Sequence, residues 1–289
     1  MPQHIASSAP ARLLAGVAAV ACLVPVLSAC GASYPVTSPK AARDAAKGVP
    51  AAPATPAVTG RARTGVGAAP GSAAAIAAGR PGAVDCRKVK CVALSFDAGP
   101  SPYTPAVLKS LEKYHAHATF MTLGKNHVLK HPDLVRQEAA AGMEIGNHTW
   151  THQILTKIKP AEARRELKLD QDAVKKITGK APTLMRPPQG RTDEDVTKVC
   201  RELGLSQVLW SVTAKDYKTK DSAVIRQRVL EQTRRDGIIL LHDIYPGTAP
   251  ALPGILSALD QKGYTVVTVS QLLWPAKPVP GEVYRPDKP

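Results

Sequence analysis

From Asp85 onward the sequence alternates between two periodicities, and this alternation limits the available folds more than any other feature. Short apolar, β-branched runs recur at 89–96, 118–123, 143–146, 183–185, 207–212, 238–241 and 264–269. Helical stretches stand between most of them, at 105–114, 132–141, 160–177, 194–203, 223–235 and 252–261. Several open on Pro or an acidic residue and are followed by Gly142, Gly179, Gly204 or Gly263. Seven strands alternating with six helices imply a parallel sheet. The polar residues favour closing that sheet into a barrel. Asp97 follows Phe96, His148 follows Gly146-Asn147, Arg186 follows Met185, Asp216 comes shortly after Val212, and His242 follows Leu241. In a barrel of parallel strands all these ends share one face, where active sites of such folds are built.

The first 85 residues have a different character. Arg12 precedes an apolar run, 13–27, that exits through Leu27-Ser28-Ala29-Cys30, the pattern of a secretory signal. The run is short for a membrane-spanning helix and contains Pro25. Leu-Ser-Ala-Cys resembles the bacterial lipoprotein signal, in which the cysteine is acylated and becomes the mature N-terminus. That resemblance implies a signal peptide over 1–29, a lipid on Cys30 and an extracytoplasmic, membrane-anchored protein; a simply cleaved signal, giving a secreted protein, and an uncleaved anchor are the alternatives. Two acyl chains anchor stably where one does not. From 31 to about 84, Ala, Pro, Gly, Ser and Thr dominate without an apolar period, which reads as a disordered tether spanning about 40 Å on average.

The 38 Lys+Arg against 23 Asp+Glu leave a formal charge of +15, of which residues 86–289 carry +10. No basic block reaches five residues, and no zinc-finger spacing or interleaving of aromatic and basic residues appears, which argues against nucleic acid. An anionic surface, a lipid headgroup layer or a charged cell-wall polymer, attracts such a chain equally well. Five cysteines are too few for a disulfide scaffold. Export makes a local Cys86–Cys91 disulfide the expectation over two free thiols, while Cys200, at helical spacing from Val196, reads as a buried small hydrophobe. The expected folded unit covers 86–275, a monomer, with 276–289 as a C-terminal tail.

His148-Thr149-Trp150-Thr151-His152 sets two imidazoles four residues apart; on a helical turn they face the same way and can share a metal ion. Two are one short of the usual three protein ligands of a catalytic site. Asp97, a water or a ligand the sequence does not reveal are the candidates for the third.

Five segments in order resemble the motifs of the polysaccharide deacetylases, carbohydrate esterase family 4, also called the NodB homology or chitooligosaccharide deacetylase domain. Ser95-Phe96-Asp97-Ala98-Gly99-Pro100 is similar to the first motif, Thr-Phe-Asp-Asp-Gly-Pro, and Asn147 to His152 to the second. Arg186-Pro187-Pro188-Gln189-Gly190 is similar to the third, and Trp210 to Tyr217 to the fourth. Leu240-Leu241-His242-Asp243 matches the fifth. The resemblance implies an α/β fold, a distorted (β/α)7 barrel of parallel strands. It also implies a metal-dependent hydrolase that removes N-acetyl groups from amino-sugar glycans, peptidoglycan or chitin-like, at the cell envelope.

The resemblance assigns roles residue by residue. His148 and His152 would hold a divalent metal ion, often zinc. Asp97 would be the general base and Arg186 would keep it ionised. A backbone N–H near Gln189 would help meet the oxyanion, with Trp210 and Tyr217 lining the substrate groove. His242 would protonate the departing amine, oriented by Asp216. The chain departs from the pattern at Ala98, where the family has its third protein metal ligand, at Thr213, where many members have another Asp, and at Tyr217, which stands for Trp. Those departures leave a second expectation open: a catalytically silent or weak glycan-binding wall lipoprotein on the same fold. Retention of Asp97, Arg186, Asp216 and His242 together favours the enzyme, because a pure binder needs neither an acid nor a base.

Overall fold

A computed structural model describes residues 34–46 and 79–287. The expected signal peptide, Cys30 and residues 47–78 of the expected tether lie outside the described residues. The strands after residue 85 are β2 (Lys90–Asp97), β3 (Thr119–Thr122), β4 (Glu144–Asn147), β5 (Leu184–Met185), β6 (Ser206–Val208), β7 (Val212–Thr213), β8 (Ile238–His242) and β9 (Tyr264–Val267). Between them stand α2 (Thr104–Lys113), α3 (Pro132–Ala140), α4 (Pro160–Thr178), α5 (Glu194–Glu202), α6 (Ser222–Gln232) and α7 (Thr248–Gln261), and α8 (Val269–Leu273) follows β9. All described strand pairs are parallel, in the order β6-β5-β4-β3-β2-β8-β7, with β9 against the first half of β2.

The helices begin and end where local chemistry requires. Asp193, Asp221 and Thr268 cap α5, α6 and α8 with side-chain oxygens that accept backbone N–H groups, and Gly179 ends α4 in a left-handed conformation at φ 79°. Every residue of β2 after Lys90 is buried, as expected of a strand covered on both faces. Its period of two divides the molecule. Val92, Leu94 and Phe96 pack outward with Phe120 and α7 residues such as Leu252 and Ile255. Ala93 packs on the opposite face with Met121, Leu184, Val208 and Ile238. Ser95 and Asp97 continue the Ala93 face by strand alternation, so the register that builds the core also aims Asp97 into the barrel mouth.

The structure differs from the expectation in three places. The run 207–212 is not one strand: β6 pairs with β5 and β7 pairs with β8, and Leu209, Trp210 and Ser211 carry the chain across the seam where the barrel would close. The distortion of the barrel lies there. The stretch read as tether supplies β1 (Val36–Thr37) and α1 (Pro39–Ala45) to the folded unit. Arg43 is buried, pairs with Asp236 at 2.8 Å and donates to the Leu272 carbonyl at 2.7 Å. The alanine-rich composition concealed these few directed contacts. The stretch read as a tail forms β10 (Val283–Tyr284), which joins β1 to β6 and buries Tyr284. Cys86 and Cys91 form a disulfide, and Cys200 is buried and free, its thiol pushed up by burial.

Candidate active site

The five polar residues found at strand ends in the sequence cluster at the carboxyl ends of β2, β4, β5, β7 and β8. Asp97 is the last residue of β2 and His242 the last of β8, paired directly across the ladder. Arg186 follows β5 and has no exposed surface. Its Nη1 donates to Asp97 Oδ1 at 2.6 Å and to Ser95 Oγ at 2.9 Å, and its Nε donates to the Val208 carbonyl at 3.0 Å. Trp210 lies 5.6 Å from the guanidinium carbon, and its ring also lies where a side chain on Gly190 would stand. Part of the Trp210 surface assigned to the groove therefore supports Arg186.

His148 and His152 do meet, with ring centroids 4.9 Å apart, but not on a helical turn. The segment is a loop bent by two left-handed residues, Thr149 at φ 74° and His152 at φ 66°. Asn147 Oδ1 accepts the Thr149 N–H, Thr149 Oγ1 accepts the His152 N–H, and Glu166 on α4 accepts from both the amide and hydroxyl of Thr151. His148 Nδ1 lies 2.7 Å from the Arg186 carbonyl. A carbonyl only accepts, so Nδ1 carries the proton and Nε2 presents a lone pair. Burial lowers the His148 pKa to about 4 against the opposing pull of Asp97, so at neutral pH the 3.9 Å contact between His148 Nε2 and Asp97 Oδ2 joins a neutral imidazole to a carboxylate. Burial also lowers His152.

Across the cleft, Asp216 is buried and holds His242 at two points. Its Oδ1 accepts from Nδ1 at 2.8 Å and its Oδ2 accepts the backbone N–H at 2.7 Å and Thr248 Oγ1 at 2.7 Å. Desolvation alone would lower the His242 pKa, but the hydrogen bond and charge of Asp216, with Asp97 adding to them, raise it above the usual imidazole value. Tyr217 and Tyr245 meet the His242 ring edge-on, with centroids at 5.9 and 5.3 Å. Gln189 sits exposed in a left-handed turn at φ 60°. Asp243, next to His242, is wholly buried; its Oδ2 accepts from Thr104 and its backbone carbonyl accepts from Ser101 Oγ at 2.5 Å, which ties the end of β8 to the turn after Asp97. Of the supporting residues, Ser95 was legible as the same-face neighbour of Asp97. Thr248, Thr149 and Glu166 gave no signal, because their partners are brought to them by the fold.

The donor set fits a divalent ion incompletely. Two imidazoles suit zinc and the tautomer of His148 is correct for coordination, yet Ala98, the position from which the resemblance expects a third ligand, carries no donor atom. Among the described residues no three His, Cys, Asp or Glu side chains form a metal-holding group. Ala98 is itself left-handed, at φ 67°, a conformation in which alanine is uncommon and aspartate several-fold enriched.

With this geometry in hand, the sequence model of the polysaccharide deacetylase family matches residues 85–208. Over 184 residues the chain is 39% identical to the peptidoglycan-N-acetylmuramic acid deacetylase PdaC of Bacillus subtilis, covering 63% of this chain and 38% of that one. It therefore spans about two fifths of that relative. It is 34% identical to a chitooligosaccharide deacetylase of Bradyrhizobium sp., covering 65% of this chain and 93% of the other. Among solved structures, a T48 deacetylase with substrate superposes with a TM-score of 0.67 at 36% identity, over 70% of this chain and all of that one. A mutant of BA3943, described as a pseudoenzyme of carbohydrate esterase family 4 with restored enzymatic activity, superposes with a TM-score of 0.61 at 27% identity, over 64% and 68% of the two chains.

Proposed function

The chain belongs to the polysaccharide deacetylase family, and on that premise we propose that it hydrolyses N-acetyl groups of amino-sugar glycans, peptidoglycan first among them, in the cell envelope. One observation carries the reading: a buried carboxylate ion-paired to Arg186 and an imidazole hydrogen-bonded to Asp216, which raises its pKa, stand at the ends of two adjacent strands, β2 and β8. Arg186 orients the carboxylate and Asp216 raises the pKa of the imidazole, an arrangement suited to a base beside an acid.

His148 and His152 would hold a divalent ion, which would supply polarisation of the acetyl carbonyl and activation of water. Asp97 accepts the proton of the attacking water, held in place by the Arg186 contact at 2.6 Å. The backbone N–H of Gln189 itself is the one offered to the developing oxyanion, since Pro188 has none and the Gly190 amide donates to the Pro187 carbonyl at 2.8 Å. His242, its Nδ1 committed to Asp216, donates from Nε2 to the departing amine. Tyr217, about half exposed, and the exposed part of Trp210 line the groove for the sugar. The products are acetate and a free amino sugar.

The localisation rests on the lipoprotein-like signal. Only residues 31–35 separate Cys30 from β1 in sequence, so a lipid there would join the head through a short link, close to anionic headgroups and wall polymers that its net positive charge favours. The methyl group of Ala98 favours a second reading, in which the groove binds glycan with little or no turnover, as the existence of a pseudoenzyme on the same fold allows.

Acetate release from N-acetylated glycans, measured against pH with zinc supplied, separates the two readings. Because the acid form of His242 is required and its pKa is raised, activity is expected to fall on the alkaline side as that proton is lost, at a higher pH than for an unassisted imidazole. In Asp216→Asn the alkaline limb is expected to move to lower pH, since the hydrogen bond and charge of that carboxylate are what raise the His242 pKa. An unmoved limb would remove His242 from the acid role, and no acetate at any pH would leave the binding reading.

A further inference from the structure

The turn that joins β7 to α6 carries Lys215, Lys218 and Lys220 within six residues. Lys215, Lys218 and Lys220 are all exposed, and none of them is in an ion pair among the described residues. The turn is pinned at three points. Asp216, between the first two lysines, is bonded to His242 and Thr248. Lys215 is held left-handed at φ 49°, with its amide donating to Thr213 Oγ1 at 3.3 Å. The Lys220 carbonyl lies against Gly247, where a Cβ would meet it at 2.8 Å. The Lys218 ammonium lies 5.9 Å from the centre of the Tyr217 ring, and that ring lies 5.9 Å from the ring of His242.

Cations that serve only for solubility need no fixed backbone. Here the hydrogen bonds that orient the acid residue also fix the backbone from which two unneutralised lysines extend, on either side in sequence of an exposed tyrosine that meets the His242 ring edge-on. A fixed pair of positive charges at the rim of a cleft focuses field on whatever enters, and ammonium groups pair with carboxylates as compact point charges. We infer that Lys215 and Lys218 are specificity-determining residues that pair with a carboxylate carried by the glycan, beside the sugar whose N-acetyl group lies between Asp97 and His242. This inference rests on the deacetylase reading and refines it: the substrate is an amino-sugar polymer bearing carboxylates, and a neutral N-acetylglucosamine polymer is the poorer one. The carboxylate can sit on an ether substituent of the sugar or on an attached peptide.

The test uses the full chain with zinc supplied and three glycans: a neutral N-acetylglucosamine oligomer, a lactyl-ether glycan without peptide, and the same glycan with its peptides. Acetate release gives kcat/KM for each, and calorimetry gives affinity independently of turnover. The wild type is expected to prefer carboxylate-bearing glycans by about tenfold at low ionic strength, equivalent to 1.4 kcal/mol, with the preference shrinking as salt is raised. In Lys215→Gln/Lys218→Gln the ratio is expected to fall toward one. Preference already present with the lactyl glycan assigns the carboxylate to the sugar; preference appearing only with peptides assigns it to the peptide. Equal affinity for neutral and charged glycans in the wild type, or a preference that survives in the double variant, overturns the inference. A binding preference without acetate from any glycan leaves the inference standing and removes the deacetylase reading, whereas acetate from all three without preference does the reverse.

Discussion

Ala98→Asp is expected to tighten zinc binding by at least about tenfold and to raise acetate release with it. Losing even an outer partner of a metal ligand commonly costs ten- to a hundredfold in affinity, and this substitution would add a direct ligand to the two proposed, His148 and His152. The backbone is already suited to it. Residue 98 is left-handed at φ 67° and buried, with its amide bonded to the Met121 carbonyl at 3.0 Å, so the turn exists without the carboxylate. Alanine is uncommon in that conformation and aspartate is among the residues that visit it. Metal affinity, measured by competition with a chromophoric chelator, is therefore expected to improve without loss of folding stability. An affinity no greater than that of the wild type would show that residue 98 does not point at the site.

The largest structural effect is expected at Arg186. Its guanidinium has no exposed surface and makes contacts in three directions, to Asp97, Ser95 and the Val208 carbonyl. Arg186→Ala leaves the Asp97 carboxylate buried without its partner, a change that costs about 3–5 kcal/mol. In a domain of this size that lowers the melting temperature by about 10 °C. Arg186→Lys is not expected to restore it, because an ammonium does not reproduce the planar fork. The cause is identifiable by a cycle: in Asp97→Asn/Arg186→Ala the orphaned charge is gone, and the double variant is expected to be more stable than Arg186→Ala alone. A double variant that sums the two single losses would mean that Arg186 acts through packing alone.

Much of this site was legible before any coordinates because strand alternation and strand ends are properties of sequence. Asp97, His148, Arg186, Asp216 and His242 each stand at or just past a β-branched run, and a parallel barrel can only gather such residues at one end. The i, i+4 spacing of His148 and His152 gave the right pair for a reason that does not apply, since the loop is shaped by left-handed residues and by the side chains of Asn147 and Thr149. What the sequence concealed was contact between segments far apart in the chain. Arg43 meets Asp236, and Val36 pairs with Val283, inside stretches whose composition resembles a linker and a tail. A few specific bonds fold such segments, and composition averages them away. The break between β6 and β7 was hidden for the opposite reason, because Leu209 and Trp210 continue an apolar run that the backbone does not continue as a strand.

The claim on which the whole account depends is that this cleft hydrolyses N-acetyl groups with Asp97 as the base. The most direct measurement is acetate released from N-acetylated peptidoglycan by the zinc-supplied full chain, wild type beside Asp97→Asn. A general base contributes about 10²- to 10⁴-fold, so the wild type is expected to release acetate and the variant to fall by that factor while still binding the glycan. Equal release by the two proteins, or none by either, would contradict it.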